Sequence, residues 1–229
     1  MKARRMLITA PRQIEWSEIE LNARPKPGYV RVRTLTSLIS PGTEMRLYRG
    51  ESMVAEVWES FANLDDPLQW VVKDQRYDVS PAMAPGGATF PVMSGYNNIG
   101  EVIDIGDGVS SLKVGDRILS LWRHQNYFDV REWEGVAIPV EVSIEAASCA
   151  YQATLGLHAL RRGNFSAGER VGIIGLGLIG LLTAIVADAF SSMPICFEVN
   201  PDRRRIAESA IPNLIAVSYT HLRAHETEA

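Results

Sequence analysis

The chain has 229 residues, 46% of them hydrophobic and 22% charged, which is ordinary globular composition and enough for one large domain or two modest ones. A net charge of -4, with lysines and arginines scattered among acids, gives no footprint for nucleic acid; Arg4-Arg5 and Arg203-Arg204-Arg205 read as solvated surface. Two cysteines, Cys149 and Cys196, lie outside any CxxC or metal-ligand spacing, and the N-terminus runs from Met1-Lys2-Ala3-Arg4-Arg5 into Pro11, Arg12 and Glu15 without the apolar segment of a secretory signal, so a cytoplasmic protein is expected.

In chain order, the first predicted element is a half-buried strand over Tyr29 to Thr36, where Val30, Val32 and Thr34 alternate with Arg31 and Arg33 behind the turn residues Pro25, Pro27 and Gly28. Residues 51–90 read as an insertion with some helix over Met53 to Ala62, the aromatics Trp58 and Trp70, and Pro85-Gly86-Gly87. Gly100 to Ile105 and Ile118 to Leu121 are further strands, separated by Gly106-Asp107-Gly108 and Gly115-Asp116. Gly-Asp turns between β-branched runs are what a small β-barrel requires.

From Val142 the pattern becomes helical, with Ile144, Ala147, Tyr151 and Leu155 at spacings of three and four and Leu157 and Leu160 following. Arg170 to Ile174 is a short buried strand, Leu178 to Phe190 an apolar helix, and Ile195 to Val199 a second strand. Pro201 to Ser209 is a polar helix with Asn200 as N-cap and proline in its first turn. Leu214 to Ala216 would begin a third strand. This alternation predicts a parallel α/β domain. The expected organisation is a domain over 1–150, the first half of a dinucleotide-binding domain over 151–216, and a tail over 217–229. That tail, from Val217 to Thr227, resembles the translation of a DNA-sequencing adaptor; it is expected to be an artefact on a truncated chain, so the i, i+4 pair His221 and His225 is not read as a metal site.

Gly175-Leu176-Gly177-Leu178-Ile179-Gly180 is GxGxxG between a strand and a helix. The first glycine permits a tight turn, the second lets backbone approach a pyrophosphate, and the third lets helix and strand pack closely. The free N–H groups of Leu178, Ile179 and Gly180 at the helix start would face the phosphates. Glu198, eighteen residues past Gly180, stands where an acid accepts hydrogen bonds from the adenosine ribose. A carboxylate there repels a 2′-phosphate, so NAD(H) is expected, with NADP(H) the weaker alternative through Arg203 to Arg205. The apolar run Val171 to Ala187 is thereby read as part of this motif, with no membrane partner expected.

Residues 1 to 216 resemble the zinc-type alcohol dehydrogenase family of medium-chain dehydrogenases/reductases. The resemblance rests on Val102-Ile103-Asp104-Ile105-Gly106 with Gly108-Val109, on Val114-Gly115-Asp116-Arg117, and on the glycine fingerprint. It implies a GroES-like β-barrel followed by an α/β Rossmann domain, here incomplete. The family's Cys-Gly-Thr-Asp-x-His-x-Tyr-x-Gly aligns with Pro41-Gly42-Thr43-Glu44-Met45-Arg46-Leu47-Tyr48-Arg49-Gly50, so Pro41 replaces a zinc cysteine and Arg46 a relay histidine. Gly95-Tyr96-Asn97 stands for Gly-His-Glu, with Tyr96 in place of a ligand histidine, and the last ligand position falls on Tyr151. Two lost ligands leave no catalytic zinc, because such a site needs three protein ligands; four cysteines for a structural zinc are also lacking.

Hydride transfer without zinc still needs donors for the developing oxyanion. The resemblance places Thr43, Arg46 and Tyr96 around the vacant metal position, with Asn97 as a further donor and His124 in a loop near the substrate cleft. Alternatively, Thr43 stabilises a turn, Tyr96 fills the space of the metal, and His124 is a backbone-bonded loop residue. Two functions stay open: a zinc-independent NAD(H)-linked oxidoreductase acting on a small carbonyl, alcohol or conjugated alkene, and a nucleotide-binding protein without turnover. The resemblance also implies a homodimer or homotetramer.

Overall fold

The computed structural model describes residues 1–51, 90–212 and 214–218. The helix expected over Met53 to Ala62 and the tail beyond Ser218 lie outside those residues. The chain divides into two compact units, Met1–Ser148 and Cys149–Ala229.

In the N-terminal unit, β1 (Lys2–Ala10) and β2 (Gln13–Glu20) form an antiparallel hairpin, turned at Arg12 with φ 63°. β3 (Tyr29–Ser37) is followed by helix α1 (Thr43–Arg49) and by the two-residue β4 (Val92–Met93), which pairs with β1. Then come β5 (Asn98–Ile105), β6 (Arg117–Ser120), β7 (Tyr127–Arg131) and β8 (Gly135–Ala137). With β3 they make a five-stranded antiparallel sheet in the order β7-β3-β5-β6-β8. A short helix, α2 (Ile144–Ser148), closes the unit.

Val30, Val32, Val102, Leu112, Ile118, Phe128 and Val130 bury together on one face of that sheet. Each such side chain contributes about 1.5 to 3 kcal/mol by leaving water. A smaller core joins Ile8, Leu47 and Val92, tying β1, α1 and β4 together. The predicted alternation along β3 holds at Val30 and Val32 and fails at Arg31, which is only 3% exposed. Its guanidinium makes a two-pronged contact with Asp129 on β7, at 2.8 and 2.9 Å, and donates to the carbonyls of Asn22 and Ala23. A charge can be buried where every donor finds an acceptor. Glu132 provides a second polar tie: its Oε1 accepts the N–H groups of Ser110, Ser111 and Leu112, and these bonds hold its carboxyl below the usual range.

The C-terminal unit opens with α3 (Ala150–Arg162) and continues through β9 (Arg170–Ile174), α4 (Leu178–Ala189), β10 (Met193–Phe197), α5 (Pro201–Ala210) and β11 (Ile215–Val217). Its strands are parallel, in the order β11-β10-β9. This is an antiparallel β half-barrel followed by an incomplete Rossmann-like α/β part. The helical stretch expected from Val142 is two helices broken at Cys149. β10 lies two residues earlier than predicted, because the register pairs Met193 with Arg170 and leaves Glu198 and Val199 to turn into α5. Asn200 caps that helix as expected, its Oδ1 accepting the N–H groups of Asp202 and Arg203.

Ile173, Leu176, Ala184, Cys196, Ala207 and Ile211 form the core of this unit. α3 and α4 meet at Gly156, where a Cβ would lie 2.6 Å from Thr183 Oγ1. Of the apolar helix α4 only Ala184 and Ala187 are buried, while Leu178, Ile179 and Ile185 stay 37 to 42% exposed. Cys196, in the central strand, is fully buried, and burial pushes its thiol up to about 11.

Replacing Arg31 by alanine leaves Asp129 and two carbonyls without their donor. Breaking one side of a buried pair typically costs about 3 to 5 kcal/mol, so Arg31→Ala should lower the urea midpoint of the N-terminal unit accordingly. A loss within the ordinary surface range of about 0.5 kcal/mol would refute the clamp.

Candidate functional site

The glycine fingerprint occupies the turn between β9 and α4. Gly175 has φ +88°, a conformation that L side chains rarely adopt. At Gly180 a Cβ would fall 1.9 Å from Gly175 O, so helix and turn touch backbone to backbone there. At Gly177 the reverse holds: φ is -68° and nothing stands within 4 Å of a Cβ. Two glycines are thus explained by the fold, and one only by open space above it. Gly177 is the N-cap of α4 and makes no side-chain capping bond, so the N–H groups of Leu178, Ile179 and Gly180 have no acceptor within the helix. With the helix dipole behind them they suit an anion, and the residues present fit a dinucleotide pyrophosphate.

Glu198 follows β10 at the strand's C-terminal end and is 4% exposed. Its Oε2 accepts the N–H of Leu176 at 2.8 Å, inside the fingerprint, and its Oε1 accepts the N–H of Asn200 at 2.9 Å. The Asn200 bond, then the Leu176 bond and the nearby Arg203 charge, outweigh burial and hold its carboxyl below the ordinary value. Arg203 lies 3.6 Å from Oε2 and is 55% exposed. The acid therefore ties the end of β10 to the glycine loop.

In the N-terminal unit the sequence candidates come from three segments: α1, the stretch before β5, and the β6–β7 connection. Thr43 and Arg46 sit on α1, both half-buried, and Arg46 lies 3.7 Å from Glu51. Tyr96 is half-buried; Asn97 is fully buried, and its Nδ2 donates to Ser148 O at 2.6 Å. His124 is 5% exposed, and its ring bonds to side chains, not to backbone: Nδ1 is 2.8 Å from Ser37 Oγ and Nε2 is 2.8 Å from Glu44 Oε1.

Glu44 is the residue that the sequence reading passed over. It too is only 5% exposed, and it gathers donors from three other segments: His124, Ser94 Oγ on Oε1, and Ser40 N–H on Oε2 at 2.7 Å. Burial alone would raise its pKa, but the bonds from His124, Ser40 and Ser94 and the imidazole charge outweigh burial and bring it below the ordinary value. Gly95, with φ +104°, makes the approach possible, since a Cβ there would lie 2.5 Å from His124 N. The pair and Ser94 border a pocket of about 110 Å³ whose other walls are Met6, Ile8, Ile14, Ile39, Met45 and Tyr48. The available signal was that Thr43-Glu44 keeps the family's hydroxyl-acid pair beside a lost ligand.

No protein-family profile matches the chain. It is 28% identical over 148 residues to the (R,R)-butanediol dehydrogenase of Bacillus subtilis, covering 52% of this chain and 43% of that one. Against an uncharacterised zinc-type alcohol dehydrogenase-like protein of Haemophilus influenzae it is 29% identical, over 53% and 44% of the two chains. The 2R,3R-butanediol dehydrogenase structure from Bacillus subtilis superposes with a TM-score of 0.70 at 21% identity, over 99% of this chain and 65% of that one. Over about half its length the chain is similar to medium-chain, zinc-type alcohol dehydrogenase-like proteins. It spans less than half the length of the curated relatives it matches.

A putative zinc-binding dehydrogenase from Sinorhizobium meliloti, solved bound to NADP, shares the fold of this chain with a TM-score of 0.68 at 20% identity, over 96% and 63% of the chains. The family implies a zinc ion, and the donor set here does not fit one. The aligned positions are Pro41, Tyr96 and Tyr151, and among the described residues no group of three or more His, Cys, Asp or Glu could hold a metal.

A carboxyl whose pKa is lower folded than unfolded stabilises the fold above its unfolded pKa, and that contribution is lost as pH falls through its folded pKa. Glu44→Gln should therefore cost about 2 kcal/mol near pH 7, the scale of a hydrogen bond to a charged group. The gap between wild type and variant should close as pH drops below about 4. A gap independent of pH in denaturant titrations would mean that the carboxylate charge plays no part.

Proposed function

We propose that this protein is a zinc-independent, NAD(H)-linked oxidoreductase acting on a small alcohol, carbonyl or conjugated alkene. The observation that carries the reading is the cradle at the head of α4. Gly175 and Gly180 are required by the turn itself, whereas Gly177 keeps open the space in front of three unpaired helix N–H groups. Fold alone gives no reason for that vacancy; a bound pyrophosphate does.

Bound dinucleotide supplies the hydride acceptor or donor. The chain's own contribution begins at Glu198, ionised at the strand end, which takes the ribose hydroxyls and disfavours a 2′-phosphate. Arg203 beside it offsets part of that repulsion, so the preference for NAD(H) is moderate. Thr43, Arg46 and Tyr96 supply donors to the substrate oxygen in place of a metal. Asn97, just before β5, has its amide on Ser148 O at the end of α2.

Valine at Gly177 tests the cradle without disturbing the fold, since its φ is ordinary and nothing lies within contact. Gly177→Val should keep the wild-type melting temperature and weaken NADH binding on the order of 100-fold, about 2.7 kcal/mol. Unchanged NADH affinity by fluorescence titration would sink the dinucleotide reading. Wild-type protein should bind NADH more tightly than NADPH at matched ionic strength, and Glu198→Ala should narrow the difference. Substrate-dependent oxidation of bound NADH separates an enzyme from a nucleotide-binding protein without turnover.

A further inference from the structure

The run Arg203-Arg204-Arg205 at the head of α5 divides into three side chains with three different surroundings. Arg205 is exposed and pairs with Asp202, three residues back on the same helix. Arg203 is 55% exposed and lies 3.6 Å from Glu198 Oε2, so it meets the acid through charge. Arg204 is half-buried, and its Nη1 donates to two backbone carbonyls, Glu198 O at 2.6 Å and Val199 O at 2.9 Å. It grips the main chain of the acid, where Arg203 meets the side chain.

Those two carbonyls lie where the sheet runs out. β10 ends at Phe197, in register with Ile174 and Val217, and beyond it the Glu198 N–H still donates to Val217 O. From there the chain turns through Val199 and Asn200 into α5, and side chains tie the turn. Glu198 Oε1 accepts the Asn200 N–H, Asn200 Oδ1 accepts the N–H groups of Asp202 and Arg203, and Arg204 reaches back to the carbonyls. A charged donor makes a stronger bond to a carbonyl than a neutral one does. With the turn so fixed, Glu198 Oε2 accepts the Leu176 N–H at 2.8 Å. Arg204 is thereby linked, through Glu198, to the glycine fingerprint.

We infer that Arg204 is a positioning residue for nucleotide choice: by fixing the carbonyls of Glu198 and Val199 it sets where the Glu198 carboxylate stands against the adenosine ribose. This role rests on the dinucleotide reading above. An acid discriminates only while it is held in place, since a carboxylate free to turn away neither takes the ribose hydroxyls nor repels a 2′-phosphate. Arg203 works in the opposite sense, because a cation beside Glu198 offsets part of that repulsion. Two adjacent arginines therefore pull nucleotide choice in opposite directions, Arg204 through the backbone towards NAD(H) and Arg203 through charge towards NADP(H).

Two measurements on the intact protein test this, the first without nucleotide. In NMR hydrogen exchange, Arg204→Met should speed exchange of the Leu176 and Asn200 N–H groups on the order of tenfold, whereas Arg203→Gln should change it less than about twofold. In fluorescence titrations at matched ionic strength, the ratio of the NADPH to the NADH dissociation constant should fall roughly fivefold in Arg204→Met and rise in Arg203→Gln. Arg204→Lys should bring both readings back towards wild type, because a single nitrogen makes both carbonyl bonds. If Arg204→Met does not fold, Arg204→Gln carries the test, with shifts in the same directions. Unchanged exchange in the Arg204 variant, or faster exchange with an unchanged ratio, overturns the inference and leaves the dinucleotide reading standing. A ratio that falls in Arg203→Gln does the same. Failure of the wild-type protein to bind either dinucleotide overturns both.

Discussion

A carboxylate that stays ionised out of water has to be surrounded by donors, and in the N-terminal unit that requirement falls on Glu44. It draws together α1, the β3–α1 loop through Ser40, the turn before β5 through Ser94, and the β6–β7 connection through His124. The small core beside them is Ile8, Leu47 and Val92, and Trp122 anchors the β6–β7 connection on the main core. Removing one partner of such a network leaves the others desolvated and unpaired, at about 1 to 3 kcal/mol for a group left so. Gly95 enters the same constraint as a geometric condition, since its missing side chain lets the Ser94 turn lie against the backbone of His124.

What was legible in the sequence is the part governed by local rules. The parallel unit could be read because its strand, glycine turn, helix and capped helix follow one another within about 40 residues, and each is signalled by neighbours in the chain. Asn200 and Pro201 fix the start of α5 almost by themselves. The hairpin β1–β2 escaped notice because its outer strand is mostly exposed, with Ile14 and Trp16 at 49 and 58%, so it carries no clear alternation. Arg31 broke the alternation on β3 for a reason that lies 98 residues away on β7. The same holds at the site: Ser37, Glu44, Ser94 and His124 meet across separations of 50 to 87 residues. No periodicity records such a meeting. His124 could be singled out as a titratable residue in a loop, but its partners could not be named.

Glu198 shows a different limit. Its spacing from the fingerprint predicts a ribose-binding acid, and its placement at the end of β10 agrees with that spacing. The structure adds that the same carboxylate already accepts the N–H of Leu176 and Asn200. An acid in this position pins the glycine loop to the neighbouring strand, and under the proposed function its remaining lone pairs take a sugar as well. Sequence pattern carries only the second, because the first requires knowing that the loop folds back over the strand end. Loss of the acid would thus loosen the glycine loop itself, beyond any effect on nucleotide choice under the proposed function.

Cys196 gives the C-terminal unit a built-in clock. Its thiol sits in the central strand, fully enclosed and pushed up to about 11, so at neutral pH alkylating reagents meet almost no thiolate while the sheet is closed. Modification can proceed only through molecules in which β10 has parted from β9 or β11, and when reclosing is fast its rate measures the opening equilibrium. Cys149, half-buried at the head of α3, reacts on its own schedule and serves as the internal comparison. A dinucleotide seated on the loop that Glu198 ties to β10 must then slow the labelling of Cys196 while leaving Cys149 nearly as it was. The strand that carries no ligand contact of its own would in this way report, by chemistry alone, how firmly the cradle above it is held.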